Sequence, residues 1–140
     1  MSVQAVLAPV FALVLLAFVL LFWMGRVRLT AVRAGEVKTS RASPRTFEWP
    51  GRTQQVSDCF HNQLELPPLF YALVPLAMLT HKADLLFVVL AWIFVATRWA
   101  HAFEHTHANR IRLRHPLFAA GVVVLAAMWA IFALRVLASL

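Results

Sequence analysis

The chain has 140 residues, room for one domain. Hydrophobic residues make up 61% and charged ones 14%, against about 25% charged in soluble domains, which excludes an ordinary soluble fold and points to an integral membrane protein. The formal net charge of +7 is concentrated in two stretches between apolar runs, so it reads as membrane topology and not as a nucleic-acid surface.

Residues 3–28 form the first predicted helix. Val3 to Met24 carries no charge and, at about 1.5 Å per residue, crosses a hydrocarbon core of about 30 Å. Phe22 and Trp23 then Arg26 and Arg28 suit the interface. This run begins without a basic leader and is long enough to span, so a cleavable signal peptide is not expected. Residues 29–55 read as a basic loop with Arg33, Lys38, Arg41, Arg45 and Arg52, broken by Gly35, Pro44, Pro50 and Gly51. Its bland reading is a solvated segment near anionic headgroups; the functional one is a lid or docking loop. Residues 56–80 form a second helix, apolar through Leu79, with Pro67, Pro68 and Pro75 inside it. A membrane helix tolerates them where neighbours satisfy the freed backbone groups. Cys59, the only cysteine, allows no intrachain disulfide. Thr80 to Asp84 is a tight polar turn. Residues 84–106 form the third helix, residues 107–115 a second basic loop with Arg110, Arg112 and Arg114, and residues 116–138 the fourth helix. Pro116 suits its first turn and Arg135 can snorkel at its end. The expectation is an all-α, integral membrane four-helix bundle, a single domain over residues 1–140. Charge asymmetry places both basic loops in the cytoplasm and both termini on the other face.

Two polar constellations interrupt the apolar runs. Asn62 and Glu65, three apart, share one face of helix two; Arg98, His101 and His105 share one face of helix three. A charge costs about 2.5–3.5 kcal/mol at mid-bilayer and is usually turned inward and functional. Both sets lie at the cytoplasmic ends of their helices, so a Glu65–Arg98 ion pair is expected, with any anionic ligand on its cytoplasmic side. Arg98 has the chemistry to hold a carboxylate or favour a thiolate. A structural ion pair that fixes helix register is the competing reading. His101-x-x-Glu104-His105 also matches a zinc-hydrolase pattern, with His61 and His107 as further ligands. Arg98, one turn earlier, would repel a cation, so no metal is expected, and bis-histidine haem less still. Arg110, Arg112 and Arg114 read first as topology signals.

Asn62-x-x-Glu65, then proline and Leu69-Phe70-Tyr71, resembles the second helix of the MAPEG family (membrane-associated proteins in eicosanoid and glutathione metabolism). Arg98-x-x-His101, then Asn109, Arg112, Arg114 and Phe118, resembles that family's third helix and following loop, and the likeness spans nearly the whole chain. It implies a homotrimer, with helix two innermost, that binds glutathione between subunits near the cytoplasmic side. Asn62 and Glu65 would contact glutathione from helix two, and Arg98 and His101 from helix three. Arg98 would be the thiol-activating, catalytic arginine, with Arg112 or Arg114 assisting. The implied activity is a glutathione-dependent transferase or peroxidase acting on a lipophilic small molecule from the lipid bilayer. Glu65 to Tyr71 looks like a bacterial branch, so the bacterial inner membrane is the expected location.

Three positions depart from the family pattern. Asp58 stands where glutathione-active members carry an arginine, His105 where members with a known reaction often carry a tyrosine, and Pro67-Pro68 sits slightly early. These departures favour an alternative: a non-catalytic membrane module or an accessory subunit of a larger membrane complex.

Overall fold

A computed structural model describes residues 1–37 and 47–139; Lys38, Arg41, Pro44 and Arg45 of the first basic loop lie outside the described residues. The described residues are helical: α1 (Val3–Arg33), α2 (Gly51–Asn62), α3 (Pro67–Leu79), α4 (Leu85–Thr106) and α5 (Ile111–Leu137). Helices α1, α4 and α5 are each long and apolar enough to cross a membrane. The second of the four bundle positions is held by α2 and α3 in tandem, so the expected continuous helix over 56–80 is broken. The cause is Pro67-Pro68. Their missing N–H groups and ring clashes remove the helical bonds to the carbonyls of Gln63 and Leu64. The backbone turns over those residues, and the prolines become the first turn of α3.

Helix α1 starts at Ser2, whose hydroxyl accepts from the Ala5 N–H at 3.2 Å. Its inward stripe runs Val6, Leu13, Leu16, Leu20 and Met24, a 3–4 spacing that keeps one face on the core. Phe11, Leu15, Phe18 and Phe22 stand exposed on another face. The helix runs five residues past the expected end at 28. It stops where Gly35 takes φ +70°, letting Glu36 N–H reach the Ala31 carbonyl at 3.1 Å. Arg28 donates to Ser57 Oγ at 3.1 Å, joining this extension to α2.

The core joins α1 to α3 and α4 through Leu13, Leu16, Phe70, Leu73 and Phe94, with Leu125 and Met128 entering from α5. Phe70 and Phe94 meet at 5.0 Å between ring centroids. Helix α5 begins five residues before the expected start, which shortens the second basic loop to residues 107–110. Glu104 explains this. Its Oε1 accepts from the Arg110 backbone N–H at 3.0 Å and from Arg110 Nε at 2.9 Å, so a carboxylate six residues upstream caps α5. Asn109, at φ 50°, makes the turn. Pro116 consequently lies inside α5 and not in its first turn.

At the opposite end of the bundle, Asp84 caps α4 by accepting from Phe87 N–H at 3.0 Å. It also pairs with Arg135 at 2.7 Å, so Arg135 ties α5 to the start of α4. The Phe87 N–H first, and Arg135 with it, hold the Asp84 carboxyl below its ordinary value. A depressed folded-state pKa gives stability that is present above the unfolded value and lost as pH falls through the folded one. Thermal melting should therefore show an acid-dependent loss below about pH 4 that Asp84→Asn removes, and this screened pair should account for no more than about 1 kcal/mol of it. An identical acid limb in the variant would show that the carboxylate contributes nothing.

Candidate functional site

The break between α2 and α3 faces the C-terminal half of α4. One face of α2, at positions 52, 55, 59 and 62, spends its polar groups on the last turns of α4. Arg52 donates to the Thr106 carbonyl, Gln55 Nε2 to the His105 carbonyl at 2.6 Å, and Cys59 Sγ to the Ala102 carbonyl at 3.7 Å. Asn62 Nδ2 lies 3.3 Å from His105 Nδ1, within hydrogen-bonding distance. The bonds from Arg52 and Gln55 satisfy the Thr106 and His105 carbonyls, which the C-terminus of α4 leaves without intrahelical partners. They also fix the height at which the broken segment meets Arg98. Gln55→Ala should cost about 0.5–1.5 kcal/mol in detergent unfolding, since it removes one such bond; no change would mean that water replaces it.

Beside the break lies a groove of about 600 Å³, lined by Asn62 and Glu65 from the break, His101 from α4, and Arg114, His115, Pro116, Phe118 and Ala119 from α5. Its size falls within the range of small-molecule sites, about 300–1,000 Å³. Arg114 is oriented by its bond from Nη1 to Asn109 Oδ1 at 2.7 Å. Glu65 is exposed.

Arg98 lies immediately behind the groove and is only 1% exposed. Its Nη2 donates to the Asn62 backbone carbonyl at 3.1 Å, an acceptor available because the helix is interrupted there. The expected Glu65–Arg98 ion pair is not formed: among the described residues the ion pairs are Glu104–Arg110 and Asp84–Arg135. The break turns Glu65 outward, so a backbone carbonyl takes the role assigned to its carboxylate. Arg98 Nε and Nη1 and His101 Nδ1 are buried with no hydrogen-bond partner among the described residues. The Phe118 ring lies 5.6 Å from the Arg98 guanidinium carbon, and the His101 ring 5.7 Å from Phe118.

Of the residues singled out in the sequence, Asn62, Glu65, His101 and Arg114 meet at one groove, Arg98 stands behind it, and Arg112 is exposed on α5 without lining it. Asp58 does not line this groove. It accepts from Gln54 at 2.7 Å and borders a separate one with Arg28, Trp49 and His61. His101-x-x-Glu104-His105 does not act as a unit, because Glu104 is committed to Arg110.

Two participants escaped the sequence reading, His115 and Gly121, and Phe118, noted there only as part of the family likeness, forms a wall of the groove. A Cβ built on Gly121 would meet Thr97 Oγ1 at 3.0 Å and Arg98 Cδ at 3.8 Å, so its lack of a side chain lets α5 close over Arg98. A lone glycine in an apolar run was the available signal, since small residues mark close helix approach in membranes.

The MAPEG family model matches residues 6–134 of the chain. No curated protein and no solved structure gives a significant match.

Proposed function

The chain belongs to the MAPEG family, and from that premise we propose that its single membrane domain binds glutathione at the groove beside the α2–α3 break and acts as a glutathione-dependent transferase or peroxidase on lipophilic substrates. The observation that carries this reading is Arg98: a permanent cation, 1% exposed, with two donors unpartnered next to a groove of ligand size. A buried charge left unpaired is expensive, and an anion is the partner that would relieve it.

Glutathione fits the donors present. Arg114 has a guanidinium for a carboxylate, Glu65 a carboxylate for the ligand amine, and Asn62 and His101 polar groups for an amide. Bound glutathione would supply the thiol nucleophile. Arg98 would lower the thiol pKa by favouring the charged sulfur, as a neighbouring cation does for cysteine. His101, with Nδ1 unpartnered, would orient the ligand beside it. Arg112, exposed on α5, would act only on a ligand portion reaching beyond the groove.

The proposed setting is a homotrimer in a bacterial inner membrane, with both basic loops cytoplasmic and the groove open to that side. The exposed Phe11–Phe22 face of α1 is apolar enough to meet lipid or another subunit. Melting in detergent with and without millimolar glutathione tests the reading. Stabilisation should grow with ligand concentration, reaching about 2.7 kcal/mol at a hundredfold excess over Kd. No shift at any concentration overturns it. The sealing of Arg98 supports a second reading, a non-catalytic membrane module in which Arg98 only ties α4 to the break; that module would give the flat result.

A further inference from the structure

We infer that Phe118 is a shutter: its ring separates the Arg98 guanidinium from the groove, and a ligand group reaches Arg98 only when that ring turns aside. This deepens the reading of the groove above and rests on it for the identity of the incoming thiol.

Three observations carry the inference. Phe118 lines the groove, and its ring also lies 5.6 Å from the Arg98 guanidinium carbon. Arg98 does not line the groove although Asn62, which it contacts, and His101, one turn along α4, both do, and two of its donors have no partner among the described residues. The other directions are closed by structure that cannot easily move. Asn62 supplies a bonded carbonyl, α5 passes close enough that a Cβ on Gly121 would come into ordinary contact with Arg98 Cδ at 3.8 Å, and Arg98 as a whole is only 1% exposed. Phe118 itself is only partly buried.

The physical logic has two parts. A cation under an aromatic face has a partial substitute for an anion, so the closed position is tolerable without ligand. Once an anionic group enters, a charge-assisted hydrogen bond is stronger than the ring contact and holds the shutter open. Phe118 is thus a positioning residue: it decides when Arg98 meets the groove and takes no part in bond making.

The test reads the shutter without ligand. Solvent exchange of the Arg98 Nε–H is measured by NMR on the full-length protein in detergent, with Arg98→Lys assigning the signal. The closed ring predicts slow exchange in the wild type and an increase of about tenfold or more in Phe118→Ala. Phe118→Leu, which keeps most of the packing, should fall between them and serves if the alanine variant unfolds. Equal exchange in wild type and variant overturns the shutter whether or not glutathione binds. Faster exchange in the variant, with no glutathione binding to either protein, upholds the shutter and removes the thiol reading. Where glutathione does bind, its association rate should rise in Phe118→Ala; an unchanged rate overturns the shutter as the entry step.

Discussion

Arg98→Met should make the ligand-free protein more stable and abolish its response to glutathione. The two effects have one cause. Arg98 makes one hydrogen bond, to the Asn62 carbonyl, and leaves Nε and Nη1 unpartnered while 1% exposed. Each unsatisfied buried donor costs about 1–3 kcal/mol, and a hydrogen bond from a charged group returns about 1.5–3 kcal/mol. Methionine keeps an apolar stem of similar reach and removes the charge. The Asn62 carbonyl is not stranded, since Glu65 N–H also reaches it at 3.5 Å. Replacing buried ionic groups by apolar ones is commonly neutral or stabilising by about 1–4 kcal/mol, and a gain of about 1–2 kcal/mol is expected here. Unfolding in detergent measures it. A loss above about 1 kcal/mol would mean that Arg98 is a structural tie after all. Arg98→Lys sharpens the contrast: it should stay folded yet respond weakly to glutathione, because lysine lacks the planar guanidinium.

Hydropathy alone made the bundle legible. The charge-free run Val3 to Met24 and the apolar fourth segment needed only length and the bilayer dimension to be read as spans. The polar positions were legible too, because Asn62, Glu65, Arg98 and His101 stand out against their surroundings. What sequence spacing could not supply was the direction in which each one points. Face arguments on helix two assume unbroken periodicity, and Pro67-Pro68 interrupt it within two residues of Glu65. That interruption alone explains why Glu65 points outward and why Arg98 finds a backbone carbonyl. The early start of α5 was hidden for a different reason. Its cap comes from Glu104, six residues back on another helix and already claimed by a metal-like pattern. Asp58, which stands where glutathione-active members of the family carry an arginine, borders a different groove, a fact that one-dimensional distance from Asn62 does not reveal.

Gly121→Leu should destabilise the bundle and open the site at the same time. The absent Cβ of Gly121 would lie 3.0 Å from Thr97 Oγ1, inside ordinary contact distance. That hydroxyl cannot swing away freely, since it donates to the Phe94 carbonyl at 2.6 Å. Alanine at this position would recover about 1 kcal/mol of helix propensity against an overpacking cost of about 1–3 kcal/mol, a net effect between neutral and a loss of about 2 kcal/mol. Leucine adds branched carbons toward Leu66 and Arg98, already 3.8 Å from the Cβ position, and should reach the upper end of that cost, about 3 kcal/mol. A Thr97→Ala/Gly121→Ala cycle isolates the contact. Removing the hydroxyl should relieve the alanine variant, giving a coupling of about 0.5–3 kcal/mol, whereas additive effects would show that the helices do not meet there. The displacement has a second readout. Phe118 precedes Gly121 by one turn on α5, so pushing α5 outward lifts the ring from Arg98. In Gly121→Leu, Arg98 Nε–H exchange should therefore accelerate although Phe118 is intact. Slow exchange in a destabilised Gly121→Leu protein would show that Phe118 holds Arg98 independently of how closely α5 packs.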